Sequence, residues 1–311
     1  MKAIILSEPG STDNLTLKEI PVPEINSGEV LIRVKAIGIN PVDAKTRNGG
    51  GVYKMLSKES SIILGWDISG EITASRSAIF KVGDQVFGMV NFPGEGKAYA
   101  EYAAAPDAHL ALKPGNITHK EAAAATLAPL TALQVLKHQA SIKPGDRVLI
   151  HAASGGVGHY AVQIAKHLGA YVIGTSSAAN KDFVLSLGAD EHIDYNEQSL
   201  TQATANIDFV LDCLGVDNIL KSLDVIKKDG QLISIVSQMT DEIREKAGHK
   251  NIRNANYLVQ SNGNDMNTLA GWLESGLLKS HISKTFTFEQ IADAHKQIES
   301  GRTVGKIVVT I

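Results

Sequence analysis

Up to about residue 116, apolar and polar positions alternate in short runs broken by Gly, Pro and Asp. Examples are Val30-Leu31-Ile32-Arg33-Val34-Lys35-Ala36 and Asp84-Gln85-Val86-Phe87-Gly88-Met89-Val90. A period of two between turn residues predicts short antiparallel strands, each with one buried face. Near His119 the period changes: residues 120–139 are Ala- and Leu-rich with helical spacing, and Lys143-Pro144-Gly145-Asp146 ends them. Beyond that turn the rhythm becomes strand, glycine, helix. Strands are predicted at 147–151, 171–175, 191–194, 209–212, 231–236 and 255–260. Between the first two, Val157, Tyr160, Ala161, Ile164, Ala165 and Leu168 fall on one helical face. Strands separated by helical crossovers predict a doubly wound parallel sheet. The tail reads as strand 281–286, helix 288–299 and strand 306–310. The parallel sheet is complete without it, so the tail is assigned back to the first domain. The predicted fold is therefore α/β, with one β-rich domain over 1–118 and 281–311 and one parallel-sheet domain over 119–280.

Between the first parallel strand and its helix lies Ala152-Ala153-Ser154-Gly155-Gly156-Val157-Gly158. Against G-x-G-x-x-G, Ala153 takes the first glycine position, Gly155 the second and Gly158 the third. A helix N-terminus after such a turn receives a pyrophosphate, with Gly155 admitting the phosphates and Gly158 letting helix and strand approach. The plainer reading is a tight turn without a ligand. At the end of the second strand, where an acid would hold the ribose 2′-OH of NAD, stand Thr175, Ser176 and Ser177, with Lys181 following. Hydroxyls and a lysine suit a 2′-phosphate, so the expected cofactor is NADPH. The competing reading makes the serines a helix cap and Lys181 a solvated charge. Tyr195, after the next strand, is placed over the adenosine end.

Composition narrows the function classes. The chain has 311 residues, 43% hydrophobic and 20% charged, which excludes a disordered or fibrous protein. Thirty basic and 33 acidic residues leave a net charge of −3, so nucleic acid is not an expected partner. Cys213 is the single cysteine, which excludes an intramolecular disulfide and a zinc site built on several thiolates. Residues 122–136 are interrupted by Thr126, Pro129, Thr131 and Gln134, so no membrane span is read there. A cytoplasmic protein is expected.

The whole chain resembles the medium-chain dehydrogenase/reductase family, and within it the zinc-free quinone oxidoreductase branch. The resemblance is carried by Gly38-Ile39-Asn40-Pro41-Val42-Asp43, Gly65-Trp66-Asp67-Ile68-Ser69-Gly70, Val82-Gly83-Asp84-Gln85-Val86, Ala98-Tyr99-Ala100-Glu101-Tyr102, the turn ending at Gly158, Leu187-Gly188-Ala189-Asp190 and Gly305-Lys306. It implies a GroES-like catalytic domain made from both chain ends, a central Rossmann domain, and an active site in a cleft between them. Zinc-dependent alcohol dehydrogenases of the family have Cys where Asn40 stands and His where Trp66 stands, so no catalytic metal is expected. Without a Lewis acid, the chemistry implied is hydride addition to a quinone or an α,β-unsaturated carbonyl, whose developing charge delocalises.

The resemblance places Asn40 in the cleft as a donor to the substrate oxygen or the nicotinamide ribose, with Lys45 assisting and Tyr53 as a further donor or lid residue. Asn40 before Pro41 also fits a simple turn, and Lys45 a solvated charge. Thr131, Leu214 and Lys306 complete the expected cofactor set. The rivals are a zinc alcohol dehydrogenase and a non-catalytic NADPH-binding protein with a structural or RNA-related role. A homodimer is expected through the unpaired edge of the last cofactor-sheet strand.

Overall fold

The computed structural model describes residues 1–56 and 62–311. They form two compact units, Met1–Leu130 with Val259–Ile311, and Thr131–Leu258. In the first unit β1 (Lys2–Leu6) and β2 (Leu15–Glu19) make an antiparallel pair. A larger sheet joins β3 (Glu29–Ile39), β4 (Asp67–Ser75), β5 (Gln85–Met89), β6 (Tyr102–Pro106) and β7 (Leu110–Leu112) to β14 (Ile282–Thr287) and β15 (Lys306–Thr310). Its order is β14-β15-β3-β4-β5-β7, with β6 also paired to β3. The two ends of the chain thus share one sheet.

Strand β3 organises this unit. It pairs antiparallel with β15 through Ile39↔Ile307 and with β4 through Gly38↔Asp67. That register brings Asn40, Lys306 and Asp67 to the same edge of the sheet, although they are scattered along the chain. Gly65 precedes β4 at φ +86°, and a Cβ there would run into the Tyr99 ring, so this position of the Gly65-Trp66-Asp67 run accepts only glycine.

The second unit holds β8 (Arg147–Ile150), β9 (Tyr171–Ser176), β10 (Glu191–Asp194), β11 (Ile207–Asp212), β12 (Ile226–Ser234) and β13 (Arg253–Asn256). All pairs are parallel, in the order β10-β9-β8-β11-β12-β13. This is the doubly wound Rossmann order. Leu149, Ile173, Val210 and Leu232 fill the sheet's interior. On the helix Gly158–His167 the predicted apolar face is buried at Tyr160, Ala161, Ile164 and Ala165.

Three details differ from the sequence reading. The sixth parallel strand is 253–256 rather than 255–260; Tyr257 still donates its N–H to the Ser234 carbonyl at 2.8 Å before the chain leaves the sheet. The single helix expected over 120–139 is two helices, His119–Ala124 and Leu127–Leu133, followed by a π-helical turn, Gln134–Gln139. Two bonds divide them: the Thr126 hydroxyl donates back to the Ala123 carbonyl at 3.0 Å, and the Leu127 N–H bonds Asp67 Oδ1 at 3.2 Å. Pro129 then falls in a first turn, where a missing N–H costs nothing. The units also divide at 130/131 and 258/259 instead of 118/119 and 280/281. Ala123 and Ala124 pack with Ala36 and Val308, and Asn116 Nδ2 donates to the Leu273 carbonyl at 3.2 Å, so the flanking helices stay with the first unit.

Candidate active site

In the first unit a buried polar cluster is built around Asn40. Its N–H donates to Asp43 Oδ2 at 2.6 Å, which caps the helix Pro41–Arg47. The side chain faces the other way: Nδ2 donates to Asp67 Oδ2 at 2.7 Å, and Oδ1 accepts from Lys306 Nζ. Lys306 also donates to the Ile39 carbonyl at 3.1 Å and lies 3.8 Å from Asp67 Oδ2. Asn40 is 2% exposed, and Asp43, Asp67 and Lys306 are equally buried.

Two carboxyls and one ammonium in such a volume cannot all be charged without leaving one charge unpaired. Burial pushes the Asp43 carboxyl up to about 8, with the neighbouring Asp67 also raising it, so Asp43 is the acid that keeps its proton at neutral pH. Burial raises the Asp67 carboxyl as well and lowers the Lys306 ammonium, but each pulls the other back toward its charged form across 3.8 Å, and Asn40 and Leu127 also donate to Asp67, so Asp67 is the carboxylate of the pair. The Tyr99 hydroxyl lies beside Asp43 and meets His295 Nε2 at 2.9 Å. His295 Nδ1 faces the Arg47 guanidinium at 3.4 Å, and Arg47 forms a bidentate pair with Glu299 at 2.6 and 3.1 Å. Arginine only donates, so Nδ1 accepts and Nε2–H donates to Tyr99.

Of the predicted catalytic residues, Asn40 sits in this cluster. Lys45 is exposed on the helix Pro41–Arg47, and Tyr53 is half-buried at the start of the short helix Tyr53–Leu56. Lys306, predicted as a cofactor ligand, is committed to Ile39, Asn40 and Asp67 instead. Trp66 is fully buried and its indole donates to the Gly94 carbonyl at 2.7 Å, a bond that leaves no ligand atom for a metal. Among the described residues no group of three His, Cys, Asp or Glu side chains is placed to hold a metal ion.

In the second unit the 152–158 turn docks on β9 through Ala153 N–H to the Thr175 carbonyl, 2.9 Å. A Cβ on Gly158 would collide with the Ala152 carbonyl, so the helix can start this close to β8 only on glycine. Ser154, Gly155, Gly156 and Val157 precede the helix Gly158–His167, in whose first turn His159 N–H and Ala161 N–H bond back to the Gly155 and Val157 carbonyls at 3.0 and 2.9 Å. These features fit a dinucleotide pyrophosphate.

Beside the strand ends is a cleft of about 500 Å³, lined by His151, Thr175, Tyr195, Leu214 and Asn218 among others. It brings together three predicted residues, Thr175, Tyr195 and Leu214, and the last two are 62% and 57% exposed apolar surfaces ready to cover a ring. Ser176, Ser177, Lys181 and the glycine turn are outside its lining, and Thr131 is buried in the helix Leu127–Leu133. Ser176 is buried and bonds His192 Nε2 at 2.7 Å, Ser177 starts a 3₁₀ turn, and Lys181 is exposed. One carboxylate reaches this end after all: Asp194, from β10, accepts from Ala178 N–H at 3.0 Å and from Asn196 N–H at 2.9 Å. Bound to those donors, it is 8% exposed.

His151 is the residue of this cleft that the sequence reading missed. Ser222 Oγ donates to the Asn218 carbonyl at 2.7 Å and so accepts from His151 Nε2–H at 2.9 Å. Nδ1 then accepts from the Thr175 hydroxyl at 3.1 Å, which leaves Thr175 Oγ1 only lone pairs to offer a ligand.

A family model described as alcohol dehydrogenase GroES-like domain matches residues 26–115, and one described as zinc-binding dehydrogenase matches 187–309. The chain is 34% identical to a chloroplastic NADPH-dependent alkenal/one oxidoreductase of Arabidopsis thaliana, over 99% of this chain and 79% of that protein. The solved quinone oxidoreductase from Coxiella burnetii superposes with a TM-score of 0.94 at 36% identity, covering 100% of this chain and 99% of that one. The Escherichia coli quinone oxidoreductase complexed with NADPH gives 0.90 at 26% identity, with both chains fully covered.

Proposed function

This chain belongs to the medium-chain dehydrogenase/reductase family, in its quinone oxidoreductase branch, and we propose that it reduces an α,β-unsaturated carbonyl or a quinone with NADPH and without zinc. The observation that carries this reading is the Asn40 carboxamide. It stands at the position where metal-dependent relatives place a ligand, anchored on both sides, with one Nδ2–H that no described residue accepts. Held by the 152–158 turn, NADPH would supply a hydride, two electrons and one hydrogen, to the conjugated acceptor, and the proton that completes the reduction would come from solvent. The charge developing on the carbonyl oxygen spreads over the conjugated system, and the free Asn40 N–H is the donor that stabilises it. Lys45 adds positive charge from the same helix, and Tyr53 a further donor or cover. The 152–158 turn holds the pyrophosphate, Tyr195 and Leu214 cover the adenosine, and Ser176, Ser177 and Lys181 favour the 2′-phosphate.

Loss of one oxyanion donor typically costs about 10²–10³ in turnover. Asn40→Ala is therefore expected to fold, to bind NADPH as the parent does, and to lose enone and quinone turnover on that scale. Turnover at the parental rate would remove Asn40 from the mechanism. A homodimer is the expected assembly: β13 is an edge of the six-stranded sheet, and pairing with its copy about a two-fold axis would satisfy the exposed backbone groups. A monomer in light scattering at micromolar concentration would count against it. A cytoplasmic setting fits the single Cys213; among the described residues, no helix is long and apolar enough to cross a membrane.

A further inference from the structure

A carboxamide is nearly symmetric in shape, so an asparagine that donates to a substrate must be told which of its two ends faces which way. Nothing about Asn40 itself does this. Its neighbours do. Lys306 has donors only, and it meets Oδ1; Asp67, ionised, has acceptors only, and it meets Nδ2 at 2.7 Å. A half-turn of the amide would set NH₂ against an ammonium and C=O against a carboxylate, losing both charge-assisted bonds at once. The two neighbours are themselves fixed. Lys306 is pinned to β3 by its bond to the Ile39 carbonyl at 3.1 Å and by the β3–β15 register. Asp67 is pinned by the Leu127 N–H at 3.2 Å. Asp67 is 0% and Lys306 2% exposed, so water does not replace either partner of Asn40. Asn40 is left with a single uncommitted N–H of defined direction.

We propose that Lys306 and Asp67 are positioning residues for the reduction: as a pair of opposite charge they orient the Asn40 carboxamide and so hold the one N–H it offers to the substrate. This rests on the reading of Asn40 given above. Neither residue touches substrate or cofactor, and each acts through Asn40 alone. A lysine and an aspartate that served only to knit β3, β4 and β15 together would look the same in a stability measurement but not in a kinetic cycle through Asn40.

The experiment is a pair of double-mutant cycles on the full chain, with kcat read for an enone and Kd read for NADPH. Lys306→Met is expected to lower kcat by roughly 30- to 100-fold, approaching the loss for one donor. Asp67→Asn, which keeps the shape but offers Asn40 Oδ1 a competing donor, is expected to lower it by about 10-fold, in the same currency of a misplaced donor. NADPH affinity stays within about 3-fold in both, as for a group that does not touch the cofactor. In an Asn40→Ala background each substitution is expected to cost less than about 3-fold more, since residues acting as a unit are not additive. Losses of equal size in both backgrounds, or parental kcat in the single variants while Asn40→Ala is slow, would overturn the positioning role and leave the Asn40 reading standing. Parental kcat in Asn40→Ala itself would overturn both. If Lys306→Met does not fold, the Asp67→Asn cycle decides alone.

Discussion

The Thr175 hydroxyl donates to His151 Nδ1 at 3.1 Å, under a cleft both residues line. The imidazole is sealed between Thr175 and Ser222 and has no carboxylate partner, and burial lowers its pKa to about 3. A histidine held neutral in this way makes the fold sensitive to acid.

The sign follows from which state binds the proton. Between pH 6.5 and about 3 the unfolded chain protonates this histidine and the folded chain does not, so its contribution is fully present above pH 6.5 and is lost as the pH falls. His295, lowered to about 4 by burial and by Arg47, adds in the same direction. Each such group costs at most about 1.4 kcal/mol per pH unit. Measured by urea unfolding at pH 7.5, 6.0 and 5.0, the stability of the parent relative to His151→Gln should be constant above pH 6.5 and fall below it, by up to about 1.4 kcal/mol per unit. A difference between parent and variant that does not change from pH 7.5 to 5.0 would refute the account.

Asp43 titrates with the opposite sign. Its folded pKa of about 8 lies above its unfolded value, so what it contributes is full below about pH 4 and declines as the pH rises toward 8. Asp43→Asn keeps an acceptor for the Asn40 N–H and cannot ionise. The variant should gain stability over the parent as the pH rises from 5 to 8, by up to about 1.4 kcal/mol per unit. A constant difference across that range would show that Asp43 is ionised in the folded protein.

Much of this architecture was legible because it is written locally. The change from period two to strand-glycine-helix gave the two sheet types, and the glycine turn gave the helix that starts at Gly158. Asn40 was found through the Gly38 to Asp43 run. Its partners were not identified as such: Lys306 is expected only in the cofactor set, and Asp43 and Asp67 stand inside runs that carry the family resemblance without being singled out. What makes them matter is burial and cross-strand register: Lys306 lies 266 residues from Asn40, and nothing local to Gly305-Lys306 says that the ammonium turns inward. His151 was missed for the same reason, because its partners Thr175 and Ser222 come from other elements. Asp194 lies on β10, one strand beyond the β9 end where an acid for the ribose is expected, and only the parallel pairing Asp194↔Ser176 brings it there.

Lys181 is exposed at the start of the helix Lys181–Ser186, so its attraction to a 2′-phosphate is partly screened by water. Lys181→Ala should weaken NADPH by about 1–2 kcal/mol, roughly 5- to 30-fold, and leave NADH nearly unchanged. Fluorescence titration of both cofactors measures this. Equal affinity of the parent for NADPH and NADH would remove the 2′-phosphate preference.

Zinc dependence is tested without a substrate. With Asn40 and Trp66 at the two ligand positions and both side chains committed to internal hydrogen bonds, protein purified without added metal should contain well under one zinc per chain. Prolonged EDTA treatment should leave enone turnover intact. A stoichiometric zinc whose removal abolishes activity would place the chain with the metal-dependent members of the family.

Gly158 gives the sharpest test of the nucleotide site. An alanine Cβ there would overlap the Ala152 carbonyl and press on Ala153 Cα at 2.8 Å, and both are backbone atoms that cannot rotate away. The helix must then retreat from β8, moving its first-turn N–H groups out of line with the phosphates. Overpacking of this kind costs about 1–3 kcal/mol of stability. Gly158→Ala should therefore unfold at lower urea and lose affinity for NADPH and NADH alike, because both carry the pyrophosphate. Gly155→Ala provides the contrast, since its Cβ would meet only the Ala152 carbonyl at 3.1 Å and Ala152 Cβ at 3.8 Å. That variant should keep near-parental stability and lose cofactor affinity through the ligand side alone. If Gly158→Ala binds both cofactors as the parent does, the turn is a packing feature and the pyrophosphate must be held elsewhere.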